Sequence, residues 1–275
     1  MRVYAAVGPG DQRYMQSVDF PNVLVSFAFD RDGTWFDTCP HVQHRLGDSG
    51  AFSAWTRGEV VALDQLIEWC RKQIASHPSF QVIALDVIPG TPGGNGAPSP
   101  AERERAMAES LANGDAMRAA GLRIMEVFHV FEPMSHLDLL LDRRQPGEVI
   151  GLGGLVGRSR DVRRAFCDSV FAHVRDRYRG WRGIPPMHGL GVAPRSQPGA
   201  LAIRYPWWSI DSTTWLNPRK YGQTIGRSGT MKKGTGREGN RHEHALQCGR
   251  ILDVWKRREI ELSSMWTERG VTFDA

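Results

Sequence analysis

Two short segments carry residue types that could act together on a glycosidic bond. Gly47-Asp48-Ser49-Gly50-Ala51-Phe52-Ser53 puts a carboxylate at a glycine-flanked turn, just after an apolar-leaning segment. Ser209-Ile210-Asp211-Ser212-Thr213 puts a second carboxylate far down the chain. A pair of acids suits that chemistry, since one attacks or stabilises the sugar carbon C1′ while the other moves protons. An Asp-Ser-Gly turn also forms for local reasons, because Asp caps and Gly reaches positive φ. Spacing alone therefore leaves an ordinary turn open at Asp48, and an N-cap or Asx-turn open at Asp211.

The acids need elements to hold them, and the chain alternates apolar runs with helical patterns. Strands are expected over 2–7 and 23–29, just before Asp48, and over 80–88, 123–131, 148–152, 187–192 and 207–211. Leu63, Leu66, Ile67, Cys70 and Ile74 recur at helical spacing. Ser99-Pro100-Ala101-Glu102 is a capping box with proline at the first helical position, so a helix starts there and runs to about Ala120. Further helical patterns cover 137–141, 162–178 and 243–266. About eight strands joined mostly by helices fit a single-domain α/β fold, a (β/α)8 TIM barrel, with an open doubly wound sheet as the alternative. The barrel is favoured because Asp48, Asp86, His129, Gly154, His188 and Asp211 all fall at or just past strand C-termini, the ends that converge on one pocket. Its core should occupy about 1–215, followed by a basic loop and a C-terminal helical segment over about 216–275.

Composition excludes several classes. The 275 residues, 41% of them hydrophobic, suffice for a buried core. No stretch approaches the roughly 20 apolar residues that span a bilayer, and the N-terminus lacks a signal pattern. A cytoplasmic location is the expectation. Cys39, Cys70, Cys167 and Cys248 lie far apart without a CxxC pair. Cys70 and Cys167 fall on apolar helix stripes, as buried free thiols of a reducing compartment would.

Five motifs match one family in order. Asp48-Ser49-Gly50-Ala51-Phe52 resembles the DSGGF segment of the tRNA-guanine transglycosylases. Leu85-Asp86-Val87-Ile88-Pro89 resembles their strand-end aspartate motif, Gly153-Gly154-Leu155-Val156-Gly157 their GGLxxG loop, and Met187-His188-Gly189-Leu190-Gly191 their MGVG strand. Ile210-Asp211-Ser212 stands where their nucleophilic aspartate lies. The family's CxCxxC zinc motif is absent, and no complete four-ligand set is visible. No metal is assigned and no cofactor is required, although a structural zinc in the His242, His244 and Cys248 region stays open. His129 stands at the family's glutamine position. These departures resemble the branch that acts on DNA, found in phages and genomic islands, which implies a bacterial or phage-infected host cell.

The resemblance implies base exchange: guanine in DNA is replaced by a 7-deazaguanine such as 7-cyano-7-deazaguanine, through a covalent aspartyl–sugar intermediate. Asp211 would be the nucleophile and Asp48 the proton carrier. Asp86, Gly154 and Leu155 would read the base edges, His129 would occupy the base site, and Phe52 and His188 would cover the base faces. Residues 219–241 carry Arg219, Lys220, Arg227, Lys232, Lys233, Arg237 and Arg241 against one acid, Glu238. A basic loop so placed could grip phosphates, and Trp215 could stack on a displaced base. Alternatives are the same reaction on tRNA, a barrel that binds nucleic acid without catalysis, and a hydrolase of a small nucleoside. A homodimer is one assembly the sequence leaves open.

Overall fold

The structure, a computed structural model, describes residues 1–91, 98–195, 199–225, 231–232 and 241–274. Eight parallel strands follow one another round a closed barrel. They are β1 (Arg2–Val7), β2 (Asn22–Ser26), β3 (His44–Asp48), β4 (Gln81–Ile83), β5 (Ile124–His129), β6 (Val149–Gly153), β7 (Met187–Gly189) and β8 (Ser209–Ser212). Every neighbouring pair is parallel, and β8 closes on β1 with Tyr4 opposite Asp211. Consecutive side chains on a strand point to opposite faces. One set, including Tyr4, Leu24, Leu46, Ile83, Met125 and Val149, fills the barrel interior. The other set meets the helices in a larger outer core.

The helices are α1 (Gln12–Met15), α2 (Ala51–Arg57), α3 (Leu63–Ser76), α4 (Pro100–Ala119), α5 (Met134–Arg143), α6 (Arg160–Arg177), α7 (Leu201–Arg204), α8 (Asn217–Tyr221) and α9 (Arg241–Glu268). A small antiparallel pair, β9 (Thr224–Ile225) and β10 (Met231–Lys232), precedes α9. The capping box expected at Ser99 forms: its side chain accepts from Glu102 N–H, and the Glu102 carboxylate takes the Ser99 N–H at 2.8 Å. α3 buries Leu66, Trp69 and Cys70. α6 buries Phe166, Cys167 and Val170, each apolar side chain contributing about 1.5–3 kcal/mol. Between β2 and β3 only a 3₁₀ turn, Phe36–Thr38, is formed.

Close packing at the barrel wall requires glycine at position 47. A Cβ there would run into the Phe80 ring and lie 2.9 Å from Trp69. α9 returns to the start of the chain and closes the fold. Glu259 accepts from Val3 N–H (2.9 Å) and from Asn22 Nδ2 (2.8 Å), while the Met1 ammonium donates to Ser263 Oγ (2.7 Å). All four cysteines are free and buried. No helix among the described residues is long and apolar enough to cross a membrane.

Candidate functional site

Parallel strands put their C-terminal ends on one side, so residues at those ends share a mouth. Asp48 ends β3 and lies beside Ser26 at the end of β2. Asp211 lies in β8. Asp86 arrives by an irregularity. Alternation from Ile83, which faces the interior, would turn Leu85 inward. Instead Ala84 and Leu85 both join the outer core, and Asp86 reaches the His129 ring at 2.8 Å. The offset is held from α4, where Asn113 donates to Leu85 O (3.0 Å) and Ser110 Oγ accepts from Val87 N–H (2.8 Å).

Asp48 carries a raised pKa. Burial pushes its carboxyl up, and the charges of Asp86 and Asp211 push the same way. Hydrogen bonds from Ser26 and the Gly50 N–H only partly offset this, so the pKa settles at about 6. A carboxyl poised there can give a proton and take one back near neutral pH.

Asp211 is held from the other side. Its Oδ1 accepts from Gly191 N–H (2.9 Å) and faces His188 Nε2 (3.2 Å). His188 Nδ1 lies 2.7 Å from Ser209 Oγ. The set is satisfied when Nε2 carries the proton toward Asp211 and the Ser209 hydroxyl donates to Nδ1. Oδ2 of Asp211 has no protein partner among the described residues, which leaves one carboxylate oxygen for a ligand.

His129 belongs to a second relay. Besides Asp86, its Nδ1 lies 3.4 Å from Glu132, whose carboxylate also accepts the His129 N–H at 2.7 Å. Burial alone would lower the His129 pKa, but the hydrogen bonds and charges of Asp86 and Glu132 outweigh it and take it to about 10. The ring is therefore a fixed cation beside Asp86. A side chain at position 153 would break this packing, since a Cβ there would lie 2.8 Å from His129 Cδ2.

Several expectations need correction. His188 is fully buried and cannot cover a base; it supports Asp211 from below. His129 spends both ring nitrogens on protein carboxylates and has none for a base. Trp215 is also fully buried, donating its indole N–H to Ala6 O at 2.8 Å, so it is core rather than a stacking platform. Arg219 is drawn inward to an ion pair with Asp11 and lies over the Tyr14 ring. Phe52 is 50% exposed. Gly154 is exposed at a positive φ of 72°, while Leu155 is buried. Lys220 is exposed. Arg227, Lys233 and Arg237 lie outside the described residues, as do the side chains of Lys232, Arg241 and His242. Cys248 is buried, and burial pushes its thiol up to about 12. No group of three or more metal-ligating side chains occurs among the described residues.

Sequence reasoning did not assign Ser26, Glu132, Gly191 or Ser209. Glu132 follows His129 by three and Gly191 ends the motif containing His188, so the signal was present in spacing. The partners of Ser26 and Ser209 exist only once strands are paired.

No family model and no curated protein matches the chain. Among solved structures the chain is similar to 3-hexulose-6-phosphate synthase from Salmonella typhimurium, at 10% identity over 94% of this chain and 100% of that one, with a TM-score of 0.44. It is also similar to D-allulose 3-epimerase from Methylomonas sp. in complex with D-allulose, at 13% identity over 94% and 97% of the two chains, with a TM-score of 0.45.

Proposed function

We propose that the barrel mouth is the active site of a base-exchange enzyme, a guanine transglycosylase that replaces guanine in DNA with a 7-deazaguanine. One observation carries the reading. Three acids, Asp48, Asp86 and Asp211, are near enough for the latter two to raise the first, and Asp48 comes to about 6. Asp211 Oδ2 bonds to C1′ as the bond from C1′ to the guanine nitrogen breaks. Asp48 supplies the proton that the departing base needs. In the return step the incoming base gives a proton to Asp48, its nitrogen bonds to C1′, and the ester bond to Asp211 breaks. Asp86, held beside the His129 cation, accepts from the donor edge of the purine. The exposed backbone at Gly154 meets the other edge, because no Cβ stands in the way.

Aromatic side chains at the strand ends support a nucleic-acid substrate. Phe29, Phe52 and Phe131 are 42%, 50% and 40% exposed, in the connections after β2, β3 and β5. Phe131 is held at a φ of 78°, a conformation that a bulky residue adopts only when its surroundings impose it. Such faces suit stacking on unpaired bases. A base inside a duplex hides C1′, so the target nucleotide must be flipped out or single-stranded.

The test is incubation with labelled 7-deazaguanine plus DNA or tRNA, followed by counting the label each polymer keeps. Retention by DNA is expected; retention by tRNA alone would move the activity to the RNA branch, and retention by neither would remove it. Asp211→Asn should abolish the denaturation-stable protein–DNA adduct while leaving binding within a few fold. Normal exchange by that variant would overturn the nucleophile.

A further inference from the structure

Beside Asp211 a cleft of about 450 Å³ opens between the connections after β6 and β7 and the first turns of α6. Arg160, Arg163, Arg164 and Arg195 line it. Among the described residues no carboxylate pairs with Arg160, Arg163 or Arg195. Only Arg164 has an acid, Asp168 at 3.5 Å, and Asp168 is shared with Arg204. Asp161, the acid nearest in sequence, does not line the cleft. The Nε of Arg163 is buried without a hydrogen-bond partner among the described residues, and a buried donor left unpaired is expensive. Gly191 ties the cleft to the reacting centre, since it lines the wall and its N–H holds Asp211.

We propose that this cleft binds phosphate, in the form of the backbone phosphodiester next to the nucleotide held at Asp211. Planar guanidinium groups match phosphate oxygens by paired hydrogen bonds, and their mutual repulsion is relieved when an anion enters. The polymeric source of the phosphate rests on the base-exchange reading; the phosphate site itself does not. The cleft would hold the strand in register while the base is exchanged, a role distinct from the basic segment after β8.

The probe is a short fluorescein-labelled single-stranded oligodeoxynucleotide, measured by anisotropy across a salt series, with inorganic phosphate measured separately by calorimetry. Arg195→Gln and Arg163→Gln should each weaken oligonucleotide binding by roughly tenfold and reduce the salt slope by about one. Arg195→Lys should keep most of the slope. Arg195 is exposed, so its replacement leaves the fold intact even if Arg163→Gln does not. Unchanged affinity and slope in Arg195→Gln and Arg163→Gln overturn the proposal. If inorganic phosphate binds the parent and not the variants, while the oligonucleotide binds neither, the phosphate site stands and the polymer reading falls. If the oligonucleotide needs the arginines but labelled 7-deazaguanine is never incorporated, the cleft stands and the exchange reaction falls.

Discussion

The carboxyl of Asp48, raised from 3.8 to about 6, binds its proton more tightly in the folded chain than in the unfolded one. The stability this adds is fully present below the unfolded value and disappears as pH climbs through about 6. Asp48→Asn should therefore be more stable than the parent at pH 8, by up to about 3 kcal/mol and with a higher melting temperature, and match it near pH 4. A melting-temperature gap that does not change with pH would show that Asp48 is not perturbed. In the parent, single-turnover guanine release should decline above about pH 6 as the protonated acid is lost. His129 has the opposite charge and the same sign of shift. Its folded-state advantage holds below the ordinary histidine value and fades as pH passes about 10. His129→Gln should be destabilised by about 3–5 kcal/mol at pH 7, because it leaves buried carboxylates without their cation. That gap, measured by urea denaturation, should narrow in strong alkali. The placing of Asp48 and Asp211 at strand ends was legible in the sequence, because each sits beside turn-forming residues. Misassigned His188 was not, since its burial depends on β7 lying between β6 and β8.

Strong local signals survived at the scale of elements. The Ser99 cap, the apolar stripe of α3 and the thiols of α3 and α6 stand as read. Strand ends did not: β2 stops at Ser26 and β4 at Ile83, well short of the apolar runs containing them, because those runs continue into loops that pack on helices. The shift that brings Asp86 inward likewise depends on Asn113 and Ser110 of α4, far away in sequence. The length of α9 was legible, but its task was not. Glu259 satisfies a backbone N–H of β1 and the amide of Asn22 in β2. Glu259→Ala should cost about 1–3 kcal/mol by leaving those donors unpaired. The loss should appear as a lower urea midpoint with an unchanged slope, whereas an unchanged midpoint would remove α9 from barrel closure.

For the whole molecule, alternation of strands and helices together with strand-end polar residues was enough to read a (β/α)8 barrel. The interior contacts that select its closure were beyond reach, since side chains such as Tyr4 and Leu46 meet only after eight strands have joined. The aromatic strand ends and arginine cleft suit a splayed strand, so affinity for single-stranded DNA should exceed that for the matching duplex, most strongly at low salt. Equal affinity in anisotropy titrations would argue against a flipped or unpaired target. The packed interior has a kinetic corollary. With Tyr4, Leu24, Leu46, Ile83, Met125 and Val149 plugging the tube, an active site at the mouth would be entered from the C-terminal side of the strands. Under the proposed base exchange, an outgoing purine would have to vacate that entrance before its replacement could enter, so steady-state rates should follow ping-pong kinetics, with free guanine competing against the incoming base.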